Sequence, residues 1–305
     1  MEQKDTAFLQ RRSFISSLLK AGGAASLLSV PSIGLTVSRF QSLRTYSVQD
    51  VIDIIVKEIP GAPFHQTVDT IKAGQADQQV KGIVTTMFPT VEVIEKTASS
   101  GANFIIAHEP SFYNHTDDPN WVQNNEILRQ KQALLAKYQI AIWRFHDYWH
   151  SFKPDGIRYG FLKSTGWLPY QKPGTFLVEI PPVPLRSLID HLKISLQTGH
   201  LRMIGDPDQV CSRLALIPGA AGGQIQIAVA EKEQPDVLIV GEVHEWETAE
   251  YIRDARLLGA KTALVILGHS VSEEPGMQWL VEWLQPKLPE LKILHISSGD
   301  PFTWM

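Results

Sequence analysis

Three apolar runs in this 305-residue chain each end in a cluster of histidine and acid. The first is Ile105-Ile106-Ala107-His108-Glu109-Pro110. The second is Phe145-His146-Asp147-Tyr148-Trp149-His150. The third is Leu267-Gly268-His269-Ser270-Val271-Ser272-Glu273. Imidazole and carboxylate are the ligands that hard and borderline divalent ions select. The chain has one cysteine, Cys211, so no intramolecular disulfide or thiolate cluster can form, and a metal site here must be built from His, Asp and Glu. A fourth run ends at Glu242 and His244. The His244-Glu245 pair is not a zinc-protease motif, because position 248 is Thr and no second histidine follows. No serine or cysteine stands with an obvious base, so metal-activated water is the simplest nucleophile, with Glu242 or His244 as the proton-transfer group. The stretch Pro218-Gly219-Ala220-Ala221-Gly222-Gly223 reads as a strand-to-helix turn or as an anion cradle of backbone N–H groups.

These clusters need elements that end in the same place. Lys81–Met87, Asn103–Ala107, Ile140–Phe145, Asp236–Val240 and Thr262–Leu267 read as short strands, several of them apolar on both faces, as in buried parallel sheets. Helical patterns run over Val48–Ile59, Val91–Ser100, Trp121–Tyr138, Glu247–Leu258 and Glu274–Leu284. Strands alternating with helices predict an α/β fold, a mixed or parallel sheet covered on both faces. In such sheets ligands bind beyond the carboxyl ends of the strands, where the histidine clusters fall. Residues 166–230, with strands at Thr175–Ile180, Leu201–Ile204 and Arg213–Ile217 and a helix at Leu185–Gln197, read as a smaller inserted α/β lobe. It divides the metal-binding lobe into residues 40–165 and 231–305.

The composition is ordinary and globular, 44% hydrophobic and 20% charged, with a formal net charge of −4. That balance excludes a wholly disordered chain and a polytopic membrane protein. The basic residues form no long run, so no nucleic-acid partner is expected. Residues 1–39 read as an address: Arg11-Arg12-Ser13-Phe14-Ile15 precedes a mildly apolar stretch, resembling a twin-arginine export signal. A periplasmic or otherwise exported protein with no stable membrane span after processing is the expectation.

At these residues the chain resembles the NIF-three-like dinuclear-metal family, also called GTP cyclohydrolase I type 2. The motifs are Gly101-Ala102-Asn103-Phe104-Ile105-Ile106-Ala107-His108-Glu109-Pro110, Arg202-Met203-Ile204-Gly205-Asp206, and Gly268-His269 followed by Glu273. The resemblance covers most of residues 48–305. It implies two divalent ions (zinc, iron, manganese or nickel), metal-dependent hydrolysis of a small molecule, and assembly into a homo-oligomer, hexameric in that family. A non-catalytic metal-binding scaffold is the other implied role. Carried over by position, the ligands are His108, Glu109, His150, His269 and Glu273. Two depart from the family's pattern: Glu109 stands where it has histidine, and His150 where it has aspartate. Asp147 and His146 are the alternative ligands at the second cluster. The departures offset in charge, so exchanging the pair, Glu109→His with His150→Asp, is expected to restore the family's order and its metal binding.

Overall fold

The computed structural model describes residues 44–305; the export-signal reading of residues 1–39 lies outside them. In chain order the elements are α1 (Val48–Val56), β1 (Ile71–Ala73), β2 (Ile83–Thr86), α2 (Val91–Ser99), β3 (Phe104–Ala107), α3 (Glu126–Tyr138), β4 (Ala141–Arg144), α4 (Asp147–Ser151) and α5 (Gly156–Ser164). There follow β5 (Leu177–Pro184), α6 (Leu185–Ser195), β6 (Arg202–Ile204), β7 (Val210–Ile217), α7 (Gly223–Glu233), β8 (Val237–Val240), α8 (Glu250–Leu257), β9 (Ala263–Ile266), α9 (His269–Leu284) and β10 (Ile293–His295). No helix among them is long and apolar enough to cross a membrane.

The strands make two mixed sheets. One has the order β1-β4-β3-β2-β10, the other β5-β7-β8-β9-β6. In the first, β10, β2, β3 and β4 run parallel and β1 is antiparallel. In the second, β7, β8 and β9 run parallel between antiparallel β5 and β6. Strands β2, β3, β4, β8 and β9 are buried at every position, which is why they read as continuous apolar runs. Each sheet has a core on both faces. Helices α1 and α9 pack on one face of the first sheet, and α2 and α3 on the other. Helices α5 and α6 cover one face of the second, and α7 and α8 the other.

The α/β class expected from the alternating pattern is therefore observed, but the division between lobes is not the expected one. Strands β8 and β9, grouped with the first lobe in the sequence reading, hydrogen-bond to β7 and β6. The second sheet is no small insert; it has five strands, as the first does. Consecutive apolar strands carry no mark of which sheet they join, because parallel pairing is decided by crossovers and not by side-chain pattern. The last helix also differs. Pro275 suggests a start at Glu274, since an interior proline removes a backbone hydrogen bond. The helix instead begins at His269 and contains Pro275. Its first turns are held from outside: Gly219 N donates to Ser272 Oγ, and Glu274 accepts from Ser297 and His295.

That extension matters for the site. Helix α9 leaves the carboxyl end of β9 in the second sheet, then packs Met277, Leu280 and Leu284 into the core of the first. Its close partner is α5. A Cβ on Gly160 would lie 2.4 Å from the Pro275 carbonyl oxygen, and one on Gly276 would lie 2.5 Å from Ile157 Cα.

Candidate metal centre

The strand ends and α9 bring six side chains together. His108 and Glu109 follow β3, His146 precedes α4 and His150 lies within it after β4, and His269 and Glu273 lie one turn apart on α9, the i,i+4 spacing that puts them on one face. His108, His146 and His150 each offer a ligand atom within 4.8 Å of the others, and so do His108, Glu109 and Glu273. His269 Nε2 lies 3.1 Å from Glu273 Oε2 and 3.4 Å from Glu109 Oε1.

Three of the rings are aimed by the groups behind them. His108 Nδ1 donates to the Phe145 carbonyl at 3.0 Å, His146 Nδ1 to Asp147 Oδ1 at 2.9 Å and His150 Nδ1 to Asp155 Oδ2 at 3.0 Å. A carbonyl or carboxylate only accepts, so each Nδ1 carries a proton and Nε2 is the nitrogen each ring has left to offer an ion. Such backing by an oxygen fixes the tautomer and orientation of metal-binding histidines. The rings sit face to face or edge to face, with centroids 4.7 to 5.0 Å apart.

His108 shows most directly that the residues present fit a cation. It is wholly buried, and its Nε2 has no hydrogen-bond partner. A buried polar atom left unpaired costs about 1–3 kcal/mol, and a divalent ion would satisfy this one. Burial, with the neighbouring His150, His146 and His269, holds its pKa well below the ordinary value, so it is neutral and able to ligate. His150 and His269 are opposite cases. Burial lowers His150, but the hydrogen bond and charge of Asp155, with Glu273 and Glu109, raise it to about 9. Burial also lowers His269, but Glu109, Glu242 and Glu273 raise it to about 12.

Arg144, the last residue of β4 and fully buried, anchors the floor. Its Nε donates to the His108 carbonyl at 3.2 Å, Nη1 to the His115 carbonyl, and Nη2 lies 3.4 Å from Glu109 Oε2. Glu109 thus turns one oxygen toward Arg144 and the other toward His269 and, at 3.7 Å, His146. Burial raises the Glu109 pKa, but His269, His146 and Arg144 outweigh it and hold the group ionised. Buried Asp69 positions α4 by accepting from the backbone N–H groups of His146, Asp147 and Tyr148.

The predicted ligands His108, Glu109, His150, His269 and Glu273 are all brought together. His146, an alternative in the sequence, lies in the cluster beside His150. Both oxygens of Asp147 are engaged with the protein: one holds His146, and the other accepts from Thr67 Oγ1 and Val68 N. Glu242 reaches the rim, with Oε2 3.5 Å from His269 Nδ1. His244 is not brought to the cluster; it is exposed, pairs with Glu247 at 3.3 Å and stacks on Trp246. The glycine-rich turn packs against the chain's own carboxylates. At Gly219, φ is 72°, and a Cβ would lie 2.2 Å from Glu273 Oε1, while Gly223 N donates to Glu247. Asp69, Asp155 and Arg144 are missing from the sequence reading, since each acts through folded contacts. Only the acid five residues after His150 offered a signal.

Comparison with known proteins identifies relatives of the chain and of its fold. The model of the Duf34/NIF3 (NGG1p interacting factor 3) family matches residues 47–301. A Clostridium perfringens protein named GTP cyclohydrolase 1 type 2 homolog is 23% identical over 272 residues, 85% of this chain and 99% of the relative. A Clostridium acetobutylicum protein of the same name is 25% identical over 235 residues, 73% of this chain and 83% of that one. Among solved structures, a Bacillus cereus protein related to NIF3 superimposes with a TM-score of 0.68 at 16% identity, covering 86% of this chain and 100% of its own.

Proposed function

The chain belongs to the Duf34/NIF3 family, and from that premise we propose that it binds two divalent metal ions and uses them to hydrolyse a small molecule. The observation that carries this reading is the buried Nε2 of His108, without a hydrogen-bond partner and close to donors of His146, His150, Glu109 and Glu273. Bound divalent ions would polarise a substrate oxygen and bring the pKa of a coordinated water toward neutrality. The protein's own groups supply the rest. Arg144 and Asp69 fix the donors from below, and Asp147 and Asp155 hold two rings in the ligating tautomer. Glu242, about half exposed at the rim, is the proton acceptor. The hydrogen bond from His269 lowers its pKa below the usual carboxylate value, so it is ionised at neutral pH. His244 faces away and leaves that role to Glu242.

The names of the clostridial relatives point to GTP as one substrate to try; phosphoesters and amides are others. Metal-loaded protein should hydrolyse one of these with saturation, and chelation should abolish it. Glu242→Gln should lower turnover about 10²- to 10⁴-fold with the metal content unchanged. Two bound ions with no turnover on any substrate would leave the non-catalytic scaffold as the reading. Export by Arg11-Arg12 and assembly into a homo-oligomer belong to the same proposal. Replacing both arginines with lysine should retain the chain in the cytoplasm, and sedimentation should show a closed assembly.

A further inference from the structure

We propose that the two metal positions are chemically unequal: His108, His146 and His150 form a neutral three-imidazole site for a zinc-class ion, and Glu109, His269 and Glu273 form a two-carboxylate site for a harder ion of the manganese class. This rests on the metal-binding reading above and adds which donors go with which ion.

The argument starts from His108. Its Nδ1 proton is spent on the Phe145 carbonyl, so it has one lone pair and serves one ion. It stands close both to the histidines and to Glu109 and Glu273, and must go with one set. Going with His146 and His150 gives three rings, all backed at Nδ1 and all presenting Nε2. The remaining donors are already mutually close, since His269 Nε2 lies 3.4 Å from Glu109 Oε1 and 3.1 Å from Glu273 Oε2. The six donors then divide three and three with none shared. The alternative, His108 with Glu109 and Glu273, strips His146 and His150 of their third partner and leaves His269 alone.

The two sets differ in charge and softness. Three neutral imidazoles leave a divalent ion its full positive charge and an open position, the arrangement of catalytic three-histidine zinc sites. Two carboxylates neutralise a divalent ion formally and favour harder cations. An imidazole at 150 completes the first set, and a carboxylate at 109, held by Arg144, completes the second. Asp155 belongs to the device, since it fixes the His150 ring while its other oxygen caps α5 at Arg158 N.

The test uses the full chain stripped by chelation, then given one equivalent of zinc and an excess of manganese. Bound metal is read by elemental analysis after gel filtration, and manganese separately by electron paramagnetic resonance. One zinc and one manganese per chain are expected. His146→Ala and His150→Ala should lower zinc affinity at least 10- to 100-fold, the range seen when only the supporting partner of a ligand is lost, and leave manganese bound. Glu109→Gln and Glu273→Gln should do the reverse. Asp155→Asn retains an oxygen for the helix cap and should weaken zinc alone by about 10- to 100-fold. Circular dichroism of the stripped variants identifies any that fail to fold. Loss of both ions together in folded histidine and glutamate variants would overturn the division while leaving a two-metal centre intact. Failure of the parent chain to bind either ion would overturn the metal reading beneath it.

Discussion

The exchange of residues at 109 and 150 looks self-contained in the sequence, because the donor types and their summed charge are conserved. The structure shows each residue committed to a partner of its own. Glu109 Oε2 faces Arg144 at 3.4 Å, so Glu109→His sets an imidazole against a buried guanidinium that has lost its carboxylate. His150 faces Asp155 at 3.0 Å, so His150→Asp sets two carboxylates side by side. The double change is therefore expected to bind metal no better than either single change, and adding Asp155→Asn should recover part of the loss. Calorimetric titration of the four variants decides this; full rescue by the double change alone would show that Arg144 and Asp155 do not fix the ligand order. A second residue-scale prediction concerns Lys131, buried on α3, whose Nζ donates to the Ser111 carbonyl and so holds the loop leaving Glu109. Burial lowers its pKa to about 8 against a small opposing pull from Asp117. The folded-state value lies below the unfolded value of about 10.4. Between those pH values the unfolded chain holds the proton more tightly, so this residue's contribution to stability rises with pH across the window and is least favourable below about 8. Urea denaturation at pH 7.5 and pH 10 should show Lys131→Met losing that rise relative to the parent. An identical pH response in both would mean that the ammonium is not desolvated.

At the scale of elements, the strands were legible because burial on both faces writes itself as an unbroken apolar run, as at Phe104–Ala107 and Val237–Val240. The strand-end histidines were legible for the same reason, standing where those runs stop. Helix α4 was not, since five residues carry no periodicity and Asp69, nearly eighty positions upstream, supplies its N-terminal acceptor. The first turns of α9 were hidden by Pro275, and they carry His269 and Glu273. The position of that helix depends on its crossing with α5 at Gly160 and Gly276, which no local signal distinguishes from a weak helix position. An alanine in place of an interior helical glycine ordinarily adds about 1 kcal/mol of stability. At Gly160 the added Cβ would sit 2.4 Å from the Pro275 oxygen, and overpacking of this kind costs about 1–3 kcal/mol. Gly160→Ala should therefore destabilise the metal-free chain and, by displacing His269 and Glu273, weaken metal binding as well. Gly199, where an added methyl would meet nothing within 4 Å, is the control, and alanine there should change stability by less than about 0.5 kcal/mol. Equal behaviour of the two variants in thermal unfolding would show that the helices can separate without strain.

For the whole molecule, the division into two sheets was the part least written in the sequence. Which parallel strand pairs with which depends on the path of α5 and α9, and the apolar runs at β8 and β9 suit either sheet. The observed pairing gives the candidate centre a mechanical role. His108, Glu109, His146 and His150 come from the ends of β3 and β4 in the first sheet, whereas Glu242 and the start of α9 leave the ends of β8 and β9 in the second. With potential donors drawn from both sheets, an ion bound among them would tie the sheets together, and that tie would be lost when both sheets unfold. An ion that binds the folded chain alone stabilises it by RT ln(1 + [M]/Kd), about 4 kcal/mol when the free metal is a thousandfold above Kd. In a chain of this size each kcal/mol moves the melting temperature by roughly 2–4 °C. Chelation should therefore lower the melting temperature by roughly 10 °C, and the fall should shrink in His269→Ala, which removes one of the two donors, His269 and Glu273, that enter from the second sheet. Because Glu109, Glu242 and Glu273 all pair with His269, that variant should also melt earlier without metal. The comparison must then be made between loaded and stripped forms of each protein. An equal shift in parent and variant would place the stabilising ion elsewhere than between the sheets.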